Sequence, residues 1–124
     1  MLLKDKFYKV LNEEHTSATS AAYRLAIIPE CAVYKGHFPG NPVCPGVCNI
    51  ETIKECAMAL LKRNLRISHI KQCRLTAIAS PAVCPEVTVN VNATDKGQGA
   101  WLIMASIADA TKSYMEFKGT LTEN

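Results

Sequence analysis

His37-Phe38-Pro39-Gly40-Asn41-Pro42-Val43-Cys44-Pro45-Gly46-Val47-Cys48-Asn49-Ile50-Glu51 places two titratable side chains around a stiff turn that runs into a helix. Pro39, Pro42 and Pro45, with Gly40 and Gly46, leave the backbone few conformations, so the loop loses little entropy on folding and holds a side chain in a defined place. Pro45-Gly46 opens an apolar run, so the amides of Gly46, Val47 and Cys48 are first-turn donors with the positive end of the helix dipole behind them. That makes a candidate oxyanion site. Glu51 falls about one and a half turns into the helix. If the apolar face points inward it lies among Val47, Ile50 and Ile53, a setting that favours the protonated acid.

The segment Gly36 to Glu51 closely resembles the HFPGxPVMPGVLxxE signature of the β-hydroxyacyl-acyl carrier protein dehydratases of the FabZ/FabA type. The histidine and the acid stand 51 − 37 = 14 positions apart, as in that family. A histidine beside a proline-rich turn is by itself more often a loop residue, and a glutamate near a helix start commonly serves the dipole. Together, with both ends of the signature and the proline-glycine pairs between them, they read as a site.

The resemblance implies a hotdog fold, an α+β arrangement in which a curved antiparallel sheet wraps one long helix. It implies that His37 is the base, that Glu51 protonates the departing hydroxyl, and that the Gly46 and Val47 amides hold the enolate oxygen. Tyr34, Phe38, Pro39, Cys44 and Pro45 are the pocket candidates, with Cys44 where the signature carries Met. For Tyr34 an equal alternative is a strand-end aromatic packed on the sheet. No cofactor and no metal is implied. The substrate is a 3-hydroxyacyl chain on the phosphopantetheine arm of an acyl carrier protein, in fatty-acid or related acyl-chain synthesis. The two catalytic groups of one site come from different subunits of a homodimer, or of a trimer of such dimers. Two departures stand out: Glu55 replaces the family's Gln four positions after the acid, and the usual amino-terminal lead-in sequence is missing. Hydrolysis of a thioester on the same scaffold, or a non-catalytic subunit that pairs with another dehydratase, are the alternatives.

Bulk properties agree with one enzyme domain. The 124 residues, 48% of them hydrophobic, fit a single domain over 1–124 with one core. A net charge of +3 and 6% aromatic residues argue against nucleic acid as the main partner. No apolar run approaches the ~20 residues of a membrane span, and Met1 to Lys6 has no signal-peptide core, so a cytoplasmic protein is expected. The six cysteines are then reduced thiols, none in C-x-x-C spacing.

Outward from the motif, apolar residues recur at three and four from Gly46 to about Arg63, which predicts one long, largely buried helix. Lys6 to Asn12 and Thr16 to Ile28 read as two strands before it. Ile67 to Ala79, Val83 to Ala93, Ala100 to Ala110 and Lys112 to Leu121 read as four more, with clear alternation in Val87-Thr88-Val89-Asn90-Val91-Asn92. Between Glu55 and Glu86 there is no acidic residue. Arg63, Arg66, Lys71 and Arg74 in that stretch are candidates for docking an acidic carrier protein, or are a solvated helix end and strand. Glu55 is expected to point to solvent, to pair with Lys62 or Arg63, or to face the site beside Glu51.

Overall fold

The computed structural model describes residues 2–38 and 40–124. Alternation makes its strands. In β4 (Glu86–Gly97), Val87, Val89, Val91 and Ala93 are buried while Glu86, Asn90 and Asn92 are exposed. In the same way β2 (Ser20–Ile27) buries Ala21, Tyr23, Leu25 and Ile27, β5 (Ala100–Ala108) buries Trp101, Ile103 and Ile107, and β6 (Ser113–Glu123) buries Met115, Phe117 and Leu121. With β1 (Tyr8–Ser17) and β3 (Leu65–Leu75) they form one antiparallel sheet in the order β1-β2-β4-β5-β6-β3. Both edge strands are largely exposed.

The helix α1 (Gly46–Leu61) enters between β2 and β3 in the chain and packs across the inner face of the sheet. Ile53 and Ala57 are fully enclosed and Leu60 nearly so. Burying a side chain of the size of Ile53 or Leu60 contributes about 1.5–3 kcal/mol. Lys62, in the left-handed region at φ 55°, ends the helix, and its amide donates to the Met58 carbonyl. The helix thus stops at Leu61, two residues before Arg63, the approximate end that periodicity suggests. This is the α+β hotdog arrangement that the resemblance implies.

The amino-terminal strands differ from the sequence reading. Thr16 to Ile28 is not one strand. The chain reverses at Ala18-Thr19, and β1 runs on through Ser17, paired with Ser20. By contrast, the β4–β5 hairpin announces itself. Gln98 at φ 58° and Gly99 at φ 76° both take the positive φ of a two-residue turn that matches strand twist.

The connection from β3 to β4 matters most for function, because Leu75 to Ala79 forms a wall of the candidate site. It is anchored through β3 on β6. Gly119 of β6 sits opposite Ile70, and a Cβ added there would lie 2.6 Å from the His69 carbonyl oxygen and 2.9 Å from the Phe117 ring. Backbone cannot yield as a flexible side chain does, so Gly119→Ala should cost about 1–3 kcal/mol. Urea denaturation reads that loss, and faster amide exchange in β3 than in β4 should accompany it.

Candidate active site

The loop before α1 is tied down at both ends. The Val43 amide donates to the His37 carbonyl at 3.0 Å, and the Cys44 amide donates to the Ala79 carbonyl at 2.8 Å. His37 Nδ1 lies 3.2 Å from the Val43 carbonyl oxygen. A carbonyl only accepts, so Nδ1 carries a proton, and in the neutral form of the ring Nε2 is then the bare, basic nitrogen. Phe38 stacks on the imidazole, centroids 4.2 Å apart, and fixes its plane from one side.

His37 opens onto a cavity of about 280 Å³ lined also by Val43, Cys44, Gly46, Asn49 and the wall from Leu75 to Ala79. The wall is held by Thr76, whose amide donates to the Tyr114 carbonyl at 3.0 Å and whose hydroxyl donates to the Ser113 carbonyl at 2.7 Å. At the helix entry, Pro45 is buried and takes φ −62°. Its carbonyl accepts the Cys48 and Asn49 amides at 3.0 and 3.1 Å. The Cys48 amide is therefore used within the helix, and the first-turn donors without a partner among the described residues are those of Gly46 and Val47.

Cys44 lines the cavity, and its thiol lies 3.3 Å from the Tyr34 hydroxyl. Burial pushes that thiol up to about 11. Near neutral pH it is a thiol, not a nucleophilic thiolate. Tyr34 itself is buried behind Cys44 and packs on Phe7 at 6.1 Å, so it does not line the cavity. Tyr34 stands in a 3-10 turn, Ala32–Lys35, and not at the end of a strand, so its packing also differs from the strand-end aromatic that was the other expectation. Pro39 lies outside the described residues.

Glu51 departs from expectation. It is half-buried, and its carboxylate pairs with Lys54 Nζ at 3.0 Å instead of sitting among apolar side chains. Val47, expected beside it as apolar cover, is 73% exposed. The helical turn explains this: Asn49 and Glu51 leave the axis about 200° apart. Gly46 and Asn49 face the His37 cavity, whereas Glu51 leaves on the opposite flank and does not line it. One protomer does not bring His37 and Glu51 together.

Glu55 neither reaches solvent, nor pairs with Lys62 or Arg63, nor faces the cavity. At 5% exposure it accepts from the backbone amides of Leu3 (2.7 Å) and Lys4 (3.0 Å) and from the Tyr8 hydroxyl (2.8 Å). It clamps the lead-in segment onto the helix. The docking candidates also divide. Arg63 pairs with Glu123 at 3.1 Å over the Trp101 ring, and Arg74 pairs with Glu116 at 3.3 Å. Arg66 and Lys71 are exposed on the edge strand and make no ion pair among the described residues. Asn49 was given no role from sequence, yet it is buried and lines the cavity. Its signal was available: an amide on the same helical stripe as Gly46, Ile53 and Cys56.

A family model described as ApeI-like, ApeI dehydratase, matches residues 12–115. Among curated proteins, the 3-hydroxyacyl-acyl-carrier-protein dehydratase FabZ of Levilactobacillus brevis is 28% identical over 83 residues, 61% of this chain and 56% of that protein. The FabZ of Caulobacter vibrioides is 44% identical over 34 residues, 27% of this chain and 21% of that protein. The chain thus aligns with little more than half the length of the first of these relatives and a fifth of the second. Many solved structures share the fold, two of them as follows. The dehydratase heterocomplex ApeI:P of Xenorhabdus doucetiae superposes with a TM-score of 0.73 at 20% identity, over 93% of this chain and 97% of that one. A hypothetical thioesterase with coenzyme A from Streptococcus pneumoniae gives 0.67 at 7% identity, over 94% and 85%.

The Glu55 clamp is testable through Glu55→Gln, which restores the family's residue. The amide keeps one acceptor for Tyr8 and Lys4 but turns an N–H toward the Leu3 amide. A buried donor left facing a donor costs about 1–3 kcal/mol. Trypsin should then cut at Lys4 and Lys6 faster than in the wild type, with the rest of the chain still protected.

Proposed function

Because the chain belongs to the ApeI-like dehydratase family, we propose that it removes water from 3-hydroxyacyl thioesters carried by an acyl carrier protein, giving trans-2-enoyl thioesters for fatty-acid or related acyl-chain synthesis in the cytoplasm. One observation carries the reading: His37 is fixed through Nδ1, leaving Nε2 basic in a cavity that also holds the start of α1. In this mechanism Nε2 takes the proton from C2, next to the thioester carbonyl. The electron pair moves into the C1–C2 bond and charge collects on the thioester oxygen, where the Gly46 and Val47 amides and the helix dipole stabilise it. The C3–O bond then breaks, Glu51 gives a proton to the leaving hydroxide, and water departs.

Since Glu51 leaves the opposite flank of α1, it serves this chemistry only in the site of a neighbouring hotdog subunit. A homodimer with shared sites is the simplest form, and Val47, Leu75 and Ile78, at 73%, 63% and 71% exposure, supply apolar surface for such a partner to cover. Arg66 and Lys71 are the cations free to attract an acidic carrier. The ion pairs of Arg63 and Arg74 are exposed, worth about 0–1 kcal/mol each, and can exchange partners at little cost.

Thioester hydrolysis is the second reading, favoured by the Glu51–Lys54 pair. An ion pair is what a carboxylate makes, and a carboxylate activates water as a base. One assay separates the readings. The purified chain is given 3-hydroxybutyryl and crotonyl thioesters while enoyl absorbance and free thiol are followed together. Interconversion of the two without thiol release is expected, falling about 10²–10⁴-fold in His37→Ala. Thiol release, or turnover retained in His37→Ala, would contradict the dehydratase assignment.

A further inference from the structure

We infer that Asn49 is a catalytic residue of the same cavity: its carboxamide N–H and the Gly46 amide together donate to the thioester oxygen as it becomes an enolate. This rests on the dehydratase reading and adds a residue to it.

Among the described residues, and aside from the aromatic and cysteine side chains of the core, four polar or charged side chains are buried: Asn49, Thr52, Glu55 and Ser80. Three are used inside the protomer. The Thr52 hydroxyl donates to the Cys48 carbonyl, Ser80 Oγ accepts the Val83 amide, and Glu55 takes three donors. The Asn49 side chain, at 6% exposure, has no such bond among the described residues and lines the His37 cavity. The buried polar atoms without a partner among the described residues are Tyr23 Oη and Trp101 Nε1, so the Asn49 amide keeps contact with the open cavity, where water can serve it and a polar group entering the cavity can take that water's place.

Geometry selects which group. Asn49 and Gly46 lie one turn apart and about 60° from each other around the axis, and both line the cavity. Side chains on a helix lean back toward its amino terminus, so the Asn49 amide is carried toward the end where the Gly46 N–H is unpaired. Two donors then converge beside the one base of the cavity. A base that takes the C2 proton places the adjacent carbonyl oxygen within a few ångströms of itself, inside the cavity that Gly46 and Asn49 also line. An enolate oxygen, carrying most of a negative charge, gains from a side-chain donor added to the helix-start amides.

The test compares Asn49→Leu, Asn49→Asp and Asn49→Gln with the wild type on 3-hydroxybutyryl thioester. Leucine removes the donor, and aspartate keeps the shape but offers only acceptors and a negative charge. Both should lose about 10²–10³-fold in kcat with KM changed by less than about threefold. Glutamine keeps the amide on a longer arm and should retain more activity than leucine. Unfolding midpoints of all three should match the wild type. An aspartate variant within about threefold of the wild-type kcat would overturn the inference, as would equal losses in Gln and Leu, or kcat losses that track a lowered midpoint. If the wild type turns over neither thioester, the functional reading falls and takes this inference with it. If the wild type is active and the aspartate variant is too, only the role of Asn49 falls.

Discussion

The enclosure of α1 by the sheet governs the whole molecule. Once Ile53, Ala57 and Leu60 are pressed against the strands, the phase of the helix is set, and each remaining position has a fixed direction at about 100° per residue. Gly46 and Asn49 must face the loop that carries His37, Glu51 must leave on the far flank, and Glu55 must lie under the lead-in. Pro45 fixes the entry of the helix, and the Cys44–Ala79 hydrogen bond fixes the loop to the wall opposite. The base, the helix-end amides and the cavity are therefore positioned by one packing decision.

That decision also separates the two proposed catalytic groups within one protomer. His37, proposed as the base, shares a cavity with Gly46, while Glu51, proposed as the acid, projects elsewhere beside Lys54. The apolar residues that a lone domain would hide, Val47, Leu75 and Ile78, are instead among its most exposed. Burying surface of that kind against a second subunit is favourable at roughly 25 cal/mol per Å², which gives the incomplete site a physical reason to be completed. The buried Cys44, held as a thiol beside Tyr34, fills space at the edge of the His37 cavity.

The motif and most of the sheet were legible in the sequence because they rest on local rules. Proline and glycine stiffen the loop wherever it lies, and Val87 to Asn92 alternates whatever it packs on. The hairpin at Ala18-Thr19 was missed because neither residue is a turn former of the Gln98-Gly99 kind. The surroundings of Glu51 and Glu55 were not legible, since they depend on which helix flank the strands and the lead-in cover. Val47 reads as core by type and is exposed by position. Asn49 was legible in principle, as a polar side chain on a buried stripe, but was hidden by the stronger signal of His37 and Glu51. The pairing of Arg63 with Glu123 and of Arg74 with Glu116 spans residues far apart in the chain, and no local pattern foretells it.

The most direct test of a site shared between subunits is complementation. His37→Ala and Glu51→Gln proteins are purified separately, shown to be inactive, then mixed under conditions in which subunits exchange. In a mixed dimer one site has neither group and the other has both. Activity should therefore rise to about a quarter of the wild-type level at equal amounts of each variant. No recovery, with mixed dimers demonstrated by mass, would contradict the account and place His37 and Glu51 in separate roles.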